Sequence, residues 1–542
     1  MKVVFAIVGL AGLLLALLWI FGSGHESSSL EELASRSPRS ASAVIAISES
    51  DAILYTTNDL LNSLSDLNED FKSDVDSFRR EMRLFLQTDG LGAENFEADF
   101  GLNLNKPTGL IVLETDERLS PKGVVFDGVI NDTDALSFGL QRISKKHGHD
   151  FRSKNIDGRT ELEIKNGSEG MAASVLSQRI TAFFSPYSED RSRELKNSNE
   201  EAERRPISEL RQFKSTVSSL PGKGDVRAFI NLQSILDRVP TRDIPPLMLE
   251  FAGLGAELGA DEVSVALLFA ENSQLRDLVQ VGSSCKEFIA KSDRPVFAAC
   301  VSLNKPVELM RHIIEQTGSG GPGFEDATLE RFFGVNYEEL CNLYSDGAAG
   351  IMLFSGGKEI PKYMTFLKTN DREQALFIAK KCCESGEEVG IGDNVIGTRE
   401  SSGGNQMACW GVVDDYIVSG NAEKQILNLA RGEGSGWKPS CGDKRLGSAE
   451  LFAGDLFETV SELMAPAKAR ASAKDFFGTD GAMHAELNYQ DGVALATIKP
   501  DGIDLGPGAC RLIASMAWFL VFEETFENTP PDLKLPANIH DE

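Results

Sequence analysis

The sequence predicts an α+β protein, internally duplicated, with antiparallel sheets and helices packed on one face, preceded by one N-terminal transmembrane or signal helix. Three observations predict this class. An uncharged run of 20 residues stands at the N-terminus. Short strand-like segments then alternate with helical ones. An ordered series of these segments recurs after about 240 residues, which is typical of a duplicated unit.

Length and charge limit the classes of function. A chain of 542 residues predicts roughly three or four domains, and its 31 phenylalanines require burial, which excludes a wholly disordered chain. The net charge of −28 predicts a surface that repels phosphate backbones and anionic lipid headgroups. We therefore expect no nucleic-acid partner and no electrostatic docking on a membrane.

The N-terminal run predicts the compartment. Residues 3–22 are long enough to span a bilayer as a helix, with Lys2 before them and Trp19 near the far end. No Ala-x-Ala cleavage site follows, so an uncleaved signal anchor is favoured over a cleaved signal. Either reading places the bulk of the chain on the exported side, periplasmic or at the cell surface. Residues 23–42 are rich in serine and predict a flexible tether.

The duplication rests on matched strands and helix starts. The strand-like segment 109–113 corresponds to 350–354. Asp132 and Asp371 each stand before a helical pattern, where an aspartate side chain accepts an orphan backbone N–H. The first strand of the repeat is placed at 52–55, matched with 296–299 in the second half.

These matches predict eight regions along the chain. In order they are a signal anchor (1–22), a Ser-rich tether (23–42), a first α+β repeat (43–184), a polar linker with a helix (185–224), a first accessory strand–helix unit (225–290), a second α+β repeat (291–440), a second accessory unit (441–526) and a tail (527–542).

The longest predicted helix covers 59–87 and carries apolar residues at helical spacing. Packing on the protein's own sheet is the favoured interpretation of this stripe. Pairing with a partner helix and covering an apolar ligand remain alternatives.

Eight cysteines lie in the second half, and none precedes residue 285. An even number in an exported chain permits up to four disulfides, and the absence of CxxC removes support for zinc-ribbon and thioredoxin-like sites. The pairing stays open among Cys285, Cys300, Cys341, Cys382, Cys383, Cys409, Cys441 and Cys510.

Short motifs with chemical meaning all have a simpler structural interpretation. The GxGxxG pattern at 318–323 follows a helix-like segment rather than a strand, which predicts a flexible connection. His147-Gly148-His149-Asp150 predicts a solvated turn rather than a set of metal ligands.

Two further motifs concern possible catalysis. Ser283 and Lys286 match SxxK without a supporting second motif. Asp414 and Asp415 stand between two strand patterns and predict a two-residue hairpin turn rather than an acid–base pair. We therefore predict no catalytic residue, no cofactor and no metal ligand.

The hairpin at 412–421 reads VVDDYIVSGN and is followed by a helical pattern. Together with the N-terminal anchor and the repeated strand–helix starts, it resembles uncharacterised bacterial envelope proteins of the domain-of-unknown-function type. The resemblance covers roughly residues 45–500 and implies an anchored, repeated α+β architecture. It implies no catalytic residues.

The sequence thus favours a membrane-anchored, extracytoplasmic protein that binds an envelope partner or acts as a scaffold without catalysis. A carrier of a lipid or other apolar ligand is the alternative. An enzyme whose active site is dispersed along the chain is a third hypothesis.

Overall fold

The computed structural model describes most of the chain between residues 30 and 501. The described residues are 30–48, 58, 61–62, 65, 69–90, 92–115, 121–156, 158–166, 169–185, 190–240, 244–259, 262–317, 347–355, 362–382, 387–392, 395–399, 407–435, 437–443, 445–452, 455 and 481–501. No helix among them is long and apolar enough to cross a membrane. The predicted anchor (1–22) and tail (527–542) lie outside these residues.

Within the described residues, twenty strands form one antiparallel sheet, so the prediction of a mixed α+β fold with antiparallel pairing is confirmed. The first ten are β1 (Ala43–Ile47), β2 (Thr108–Val112), β3 (Val124–Val129), β4 (Asp150–Ile156), β5 (Arg159–Asn166), β6 (Glu169–Leu176), β7 (Arg179–Phe184), β8 (Val226–Ile230), β9 (Phe251–Leu258) and β10 (Val263–Phe269). The second ten are β11 (Phe297–Leu303), β12 (Gly347–Phe354), β13 (Lys362–Lys368), β14 (Glu387–Gly392), β15 (Val395–Arg399), β16 (Met407–Val413), β17 (Tyr416–Gly420), β18 (Gly447–Phe452), β19 (Ala482–Gln490) and β20 (Val493–Asp501).

The strand order of the first half recurs in the second. Neighbouring strands of the first half follow the order β4-β5-β6-β7-β3-β2-β1-β8-β9-β10. The second half follows β14-β15-β16-β17-β13-β12-β11-β18-β19-β20. Each strand of the second half therefore has the same neighbours as the strand ten places before it.

The two halves meet where β10 pairs with β20. Val263 lies opposite Ile498 and Leu268 lies opposite Val493, so each strand begins opposite the end of its partner. This register relates the halves by an approximate two-fold axis perpendicular to the sheet.

Helices connect the strands. They are α1 (Leu30–Ser35), α2 (Glu69–Leu86), α3 (Ala93–Phe100), α4 (Thr133–His147), α5 (Arg191–Arg204), α6 (Arg211–Val217), α7 (Leu232–Leu236), α8 (Leu275–Leu278), α9 (Lys286–Ile289), α10 (Pro306–Thr317), α11 (Arg372–Cys382) and α12 (Glu423–Arg431). Asp132 begins α4 by accepting hydrogen bonds from the N–H groups of the first turn, and Asp371 does the same at α11, as predicted.

Helices lie on both faces of the sheet, so the prediction of a single covered face is wrong. Successive residues of a strand point to opposite faces. On β7, Ala182 belongs to the core cluster with Leu136 of α4, whereas Phe183 belongs to the cluster with Leu195 of α5. The apolar run in this strand has no strict alternation because both of its faces are buried.

The predicted tether is wrong from residue 30 onward. Leu30, Leu33 and Ala34 of α1 are at most 2% exposed and pack against β1 and β2. The prediction from composition missed this short helix because its three buried apolar residues stand among many polar ones. The last part of the predicted tether, through Ser42, leads directly into the sheet.

The predicted polar linker 185–224 does contain a helix, α5, but it is not a solvated connection. Leu195 of α5 and Phe213 and Val217 of α6 are buried in the same cluster as α1. Because these apolar residues are spaced at helical intervals among charged ones, the segment covers the sheet with one face and meets solvent with the other.

Of the predicted helix 59–87, the structure describes residues 61–62, 65 and 69–86 as helical, the last of these as Glu69–Leu86. Val75 is 5% exposed, which agrees with packing on the protein itself, whereas Phe78 is 48% exposed. The strand predicted at 52–55 lies outside the described residues. The first strand of the repeat is instead β1, which pairs with β2 and β8.

Candidate functional site

Two clefts flank α5, which crosses one face of the first half's sheet. One cleft has a volume of about 490 Å³ and the other about 480 Å³, and both include Ser198 of α5. These volumes fall within the range of about 300–1,000 Å³ that small-molecule sites occupy.

Buried contacts hold α5 in place over the sheet. Asp190 begins the helix by accepting a hydrogen bond from the backbone N–H of Arg193 at 3.1 Å. The side chain of Arg191 is buried, and its Nε donates to the carbonyl oxygen of Ser185 at 3.1 Å. Leu195 and Ala202 then turn toward the core. These contacts fix α5 against the sheet, so that it forms a wall between the two clefts.

The larger cleft contains a network of four charged side chains. Arg179 of β7 binds the carboxylate of Asp127 on β3, with Nε 3.2 Å from Oδ2. Arg36, just after α1, donates from Nη1 to Glu32 Oε1 at 2.9 Å and places Nη2 3.9 Å from Asp127 Oδ1. Asp127 is only 3% exposed. A buried carboxylate therefore orients two guanidinium groups at one wall of the cleft.

The hydrogen-bonding capacity of these cations is not used up. Nε and Nη2 of Arg36 are buried without a hydrogen-bond partner among the described residues. Arg159 of β5 also lines the cleft, and we find no hydrogen bond or ion pair from it to the described part of the chain. Lys196 of α5 has its ammonium 3.9 Å from Glu200, too far for a hydrogen bond. Arginine and lysine in this setting are suited to carboxylate or phosphate groups.

The second half fills the equivalent place with aromatic rings. Phe366 of β13 and Tyr416 of β17 occupy the register positions of Asp127 and Arg179, and their ring centroids are 6.0 Å apart. Phe288 of α9 stacks on Tyr416 at 3.9 Å. All three rings are buried. The same strand arrangement is therefore stable with an apolar filling.

A second polar cluster lies in the second half, at β18 and β19. The Ser440 hydroxyl is 2.7 Å from His484 Nδ1, and the Ser440 backbone N–H donates to Glu450 Oε2 at 3.0 Å. Glu450 Oε1 lies 3.9 Å from the same Nδ1. A serine–histidine–acid triad needs hydroxyl and carboxylate on opposite ring nitrogens. Since both groups here approach one nitrogen, the histidine is not oriented as a general base.

The histidine motif forms the end of α4. His147 is the last residue of the helix, and Gly148 follows in the left-handed conformation with φ of 71°. The prediction of a turn is confirmed. In the part of the chain that the structure describes, no three His, Cys, Asp or Glu side chains are arranged to hold a metal ion.

The two catalytic-looking motifs serve structural roles. Ser283 accepts a hydrogen bond from Lys368, whereas Lys286 forms an ion pair with Asp443, so the SxxK residues have different partners. Asp414 and Asp415 form the predicted two-residue turn between β16 and β17, and Asp414 has a φ of 52°. The GxGxxG pattern lies outside the described residues.

Sequence reasoning missed both polar clusters. The basic side chains of the cleft come from the residue after α1 and from β5, β7 and α5, and the residues of the second cluster come from three separate segments. The residues of each cluster are far apart in the sequence and form no short motif. Comparison of the chain with known proteins adds no further guide: no protein-family model, no curated protein and no solved structure matches it.

Proposed function

We propose that this is a membrane-anchored, extracytoplasmic binding protein that holds a ligand with a carboxylate or phosphate group in the larger cleft beside α5. The uncharged run at 3–22 supports anchoring, because it is long enough for a bilayer. We also infer that the two sets of ten strands are duplicated units. Their repeated order and the symmetric β10–β20 register support this.

The charged network beside α5 carries the proposal. Burying Asp127 with Arg179 incurs a desolvation penalty, and an apolar replacement of a buried ion pair is often neutral or stabilising. Phe366 and Tyr416 are such a replacement in the second half. The fold therefore does not require charge at this place, which favours a role in recognition. The lining of the cleft carries four basic side chains against the three carboxylates of Asp127, Glu200 and Glu203, an excess of one positive charge in a chain of net charge −28.

Titration of the full-length protein with inorganic phosphate and with citrate, at constant ionic strength, tests the ligand class. We expect a rise in melting temperature with ligand concentration. Arg159→Ala should weaken binding by about tenfold, since a charge-assisted hydrogen bond contributes about 1.5–3 kcal/mol. Arg152→Ala, an exposed arginine on β4 that does not line the cleft, is the matched control and should bind as the wild type does.

A double variant separates binding from folding. Asp127→Leu with Arg179→Met removes the buried pair while keeping apolar volume, so we expect stability to be kept and anion binding to be lost. Unchanged phosphate and citrate binding in this variant would show that the cleft is not the site. Protease protection of the full chain in intact cells tests the anchor and the exported location separately.

A carrier of a lipid or other apolar ligand is the second candidate, and two exposed phenylalanines favour it. Phe138 of α4 is 64% exposed and Phe377 of α11 is 57% exposed. They lie the same distance after the N-cap residues Asp132 and Asp371. Native mass spectrometry of the full chain from its own membranes discriminates between the candidates. A stoichiometric lipid-sized mass would support the carrier, and a bare chain that binds phosphate would support the anion cleft.

A further inference from the structure

Three of the eight cysteines converge in the core of the second half. Cys285 precedes α9, Cys300 lies in β11 and Cys441 lies in the loop before β18. Each is at most 3% exposed, and all three belong to one cluster of buried residues. All three are free thiols in this structure.

Backbone hydrogen bonds fix the two outer cysteines around Cys300. The carbonyl oxygen of Gly442 accepts from the backbone N–H of Cys285 at 3.1 Å and from that of Lys286 at 3.0 Å. The Ser284 hydroxyl donates to the same oxygen at 2.6 Å. The loop carrying Cys441 is therefore attached to the start of α9, which carries Cys285.

Cys300 itself is held by the sheet. It lies in β11 between β12 and β18, opposite Gly350 on one side and Ser448 on the other. The Ser448 hydroxyl accepts from the backbone N–H of Gly442 at 2.8 Å, which ties the loop of Cys441 to the strand beside Cys300. Three separate elements thus bring the three cysteines into one buried cluster.

The electrostatics give the thiols different reactivity. The hydrogen bond from Cys300 lowers the pKa of the Cys285 thiol, whereas its contacts with Cys285 and Cys441, together with burial, raise the pKa of Cys300. Cys285 is therefore the more readily formed thiolate, and the thiolate is the nucleophile in disulfide formation.

We propose that Cys300 forms one disulfide, with Cys285 or with Cys441, and that the remaining cysteine stays as a buried thiol. The oxidant is a disulfide, either a small molecule such as oxidised glutathione or a thiol oxidase of the exported compartment. Two protein thiols are oxidised to one S–S bond, and the oxidant's disulfide is reduced to two thiols. The bond forms before α9 and the 440–443 loop close over the cluster, since the sulfurs are buried afterwards.

The occurrence of this bond in the cell rests on the exported location in the proposed function, because disulfides persist in oxidising compartments. The ability of Cys300 to form the bond does not depend on that location. The test therefore has two arms: the full-length protein isolated from its own membranes under alkylating conditions, and the same protein unfolded and refolded in a glutathione redox buffer. Tryptic peptides read by mass spectrometry without reduction separate the three cysteines, because Lys or Arg lies between each pair.

We expect one linked peptide pair that contains Cys300 in both arms, with the third cysteine alkylated only after denaturation. Cys285→Ser should leave the Cys300–Cys441 bond, Cys441→Ser should leave the Cys285–Cys300 bond, and Cys300→Ser should leave none among the three. A bond in the refolded protein but three thiols in the cell would support the pairing and overturn the exported location. Three thiols in both arms, or a Cys285–Cys441 bond, would overturn the assignment of Cys300.

Discussion

Replacing Glu257 by glutamine tests whether a buried carboxylate organises the start of β8. Glu257 of β9 is 1% exposed, and its side chain accepts hydrogen bonds from three successive backbone N–H groups. The donors are Gly222, Lys223 and Gly224, at 2.8, 2.6 and 2.7 Å. Its other neighbour is Arg227, whose Nε lies 3.3 Å from Glu257 Oε2.

The expected loss of unfolding free energy follows from the smaller hydrogen-bond-accepting capacity of the glutamine amide. Glutamine keeps one acceptor oxygen, so its NH₂ group faces at least one of the backbone donors, and a buried unsatisfied donor costs about 1–3 kcal/mol. The buried guanidinium of Arg227 also loses a counter-charge and, among the described residues, keeps the one from Glu31, whose Oε2 is 2.9 Å from Nη1. Breaking a buried pair costs about 3–5 kcal/mol. We expect Glu257→Gln to lower the free energy of unfolding by about 3–5 kcal/mol.

Urea unfolding and hydrogen exchange provide the measurement. Glu262→Gln is the matched control on the other side of the β9–β10 turn, because its carboxylate is 3.5 Å from the exposed ammonium of Lys499 and contributes about 0–1 kcal/mol. In Glu257→Gln the amide protons of residues 222–224 should exchange faster than in the control. A destabilisation no larger than that of Glu262→Gln, with those amides still protected, would refute the reasoning.

Substitutions at four other positions have expected outcomes. Burial raises the pKa of Glu250, but hydrogen bonds that include one from His312 lower this pKa overall. The ionised carboxylate therefore stabilises the fold above the ordinary pKa range of glutamate, and this stabilisation is lost as pH falls through the lowered pKa of the folded state. The stability difference between wild type and Glu250→Gln should narrow below about pH 4 in urea titrations. Ser264→Ala or Thr497→Val alone should lower the free energy of unfolding by about 1–3 kcal/mol, because the two buried hydroxyls are 3.2 Å apart across the β10–β20 junction and each single change leaves one without its partner. The double variant removes both hydroxyls and should lower it by less than either single change in the same titrations. Gly101→Ala should lower the melting temperature, since Gly101 has a φ of 62° and a Cβ would collide with the backbone before α4.

Local patterns were sufficient to predict several elements. The N-cap roles of Asp132 and Asp371 follow from side-chain chemistry within one turn. The turn at Asp414 and Asp415 follows from two flanking strand patterns. Such features depend on residues close in the chain, so one sequence is enough to predict them.

Prediction failed where tertiary packing outweighs composition. The segment before β1 reads as a Ser-rich tether, but Leu33 inserts against the sheet at Gly109, where a Cβ would collide with the leucine methyl groups. Because α1 belongs to the core, a form of the protein shortened at its N-terminus must keep residues 30–42 to reach this fold. The sequence did not predict the cleft beside α5 either, because Arg36, Arg159 and Arg179 are distant in the chain and are brought together by the strand order.

The two halves use one strand arrangement for different chemistry. Between the strands β3 and β7 of the first half lies the Asp127–Arg179 pair, open to a cleft, whereas the second half places buried aromatic rings there. The cysteines show the opposite distribution: none precedes Cys285, and Cys300 lies in the strand whose counterpart β1 carries only alanine, valine and isoleucine. A core filled with aromatic rings stabilises its half of the sheet, whereas a charged, incompletely satisfied cleft suits recognition. Under the proposed anion-binding function, the first half therefore binds the ligand and the second supports the sheet that presents it.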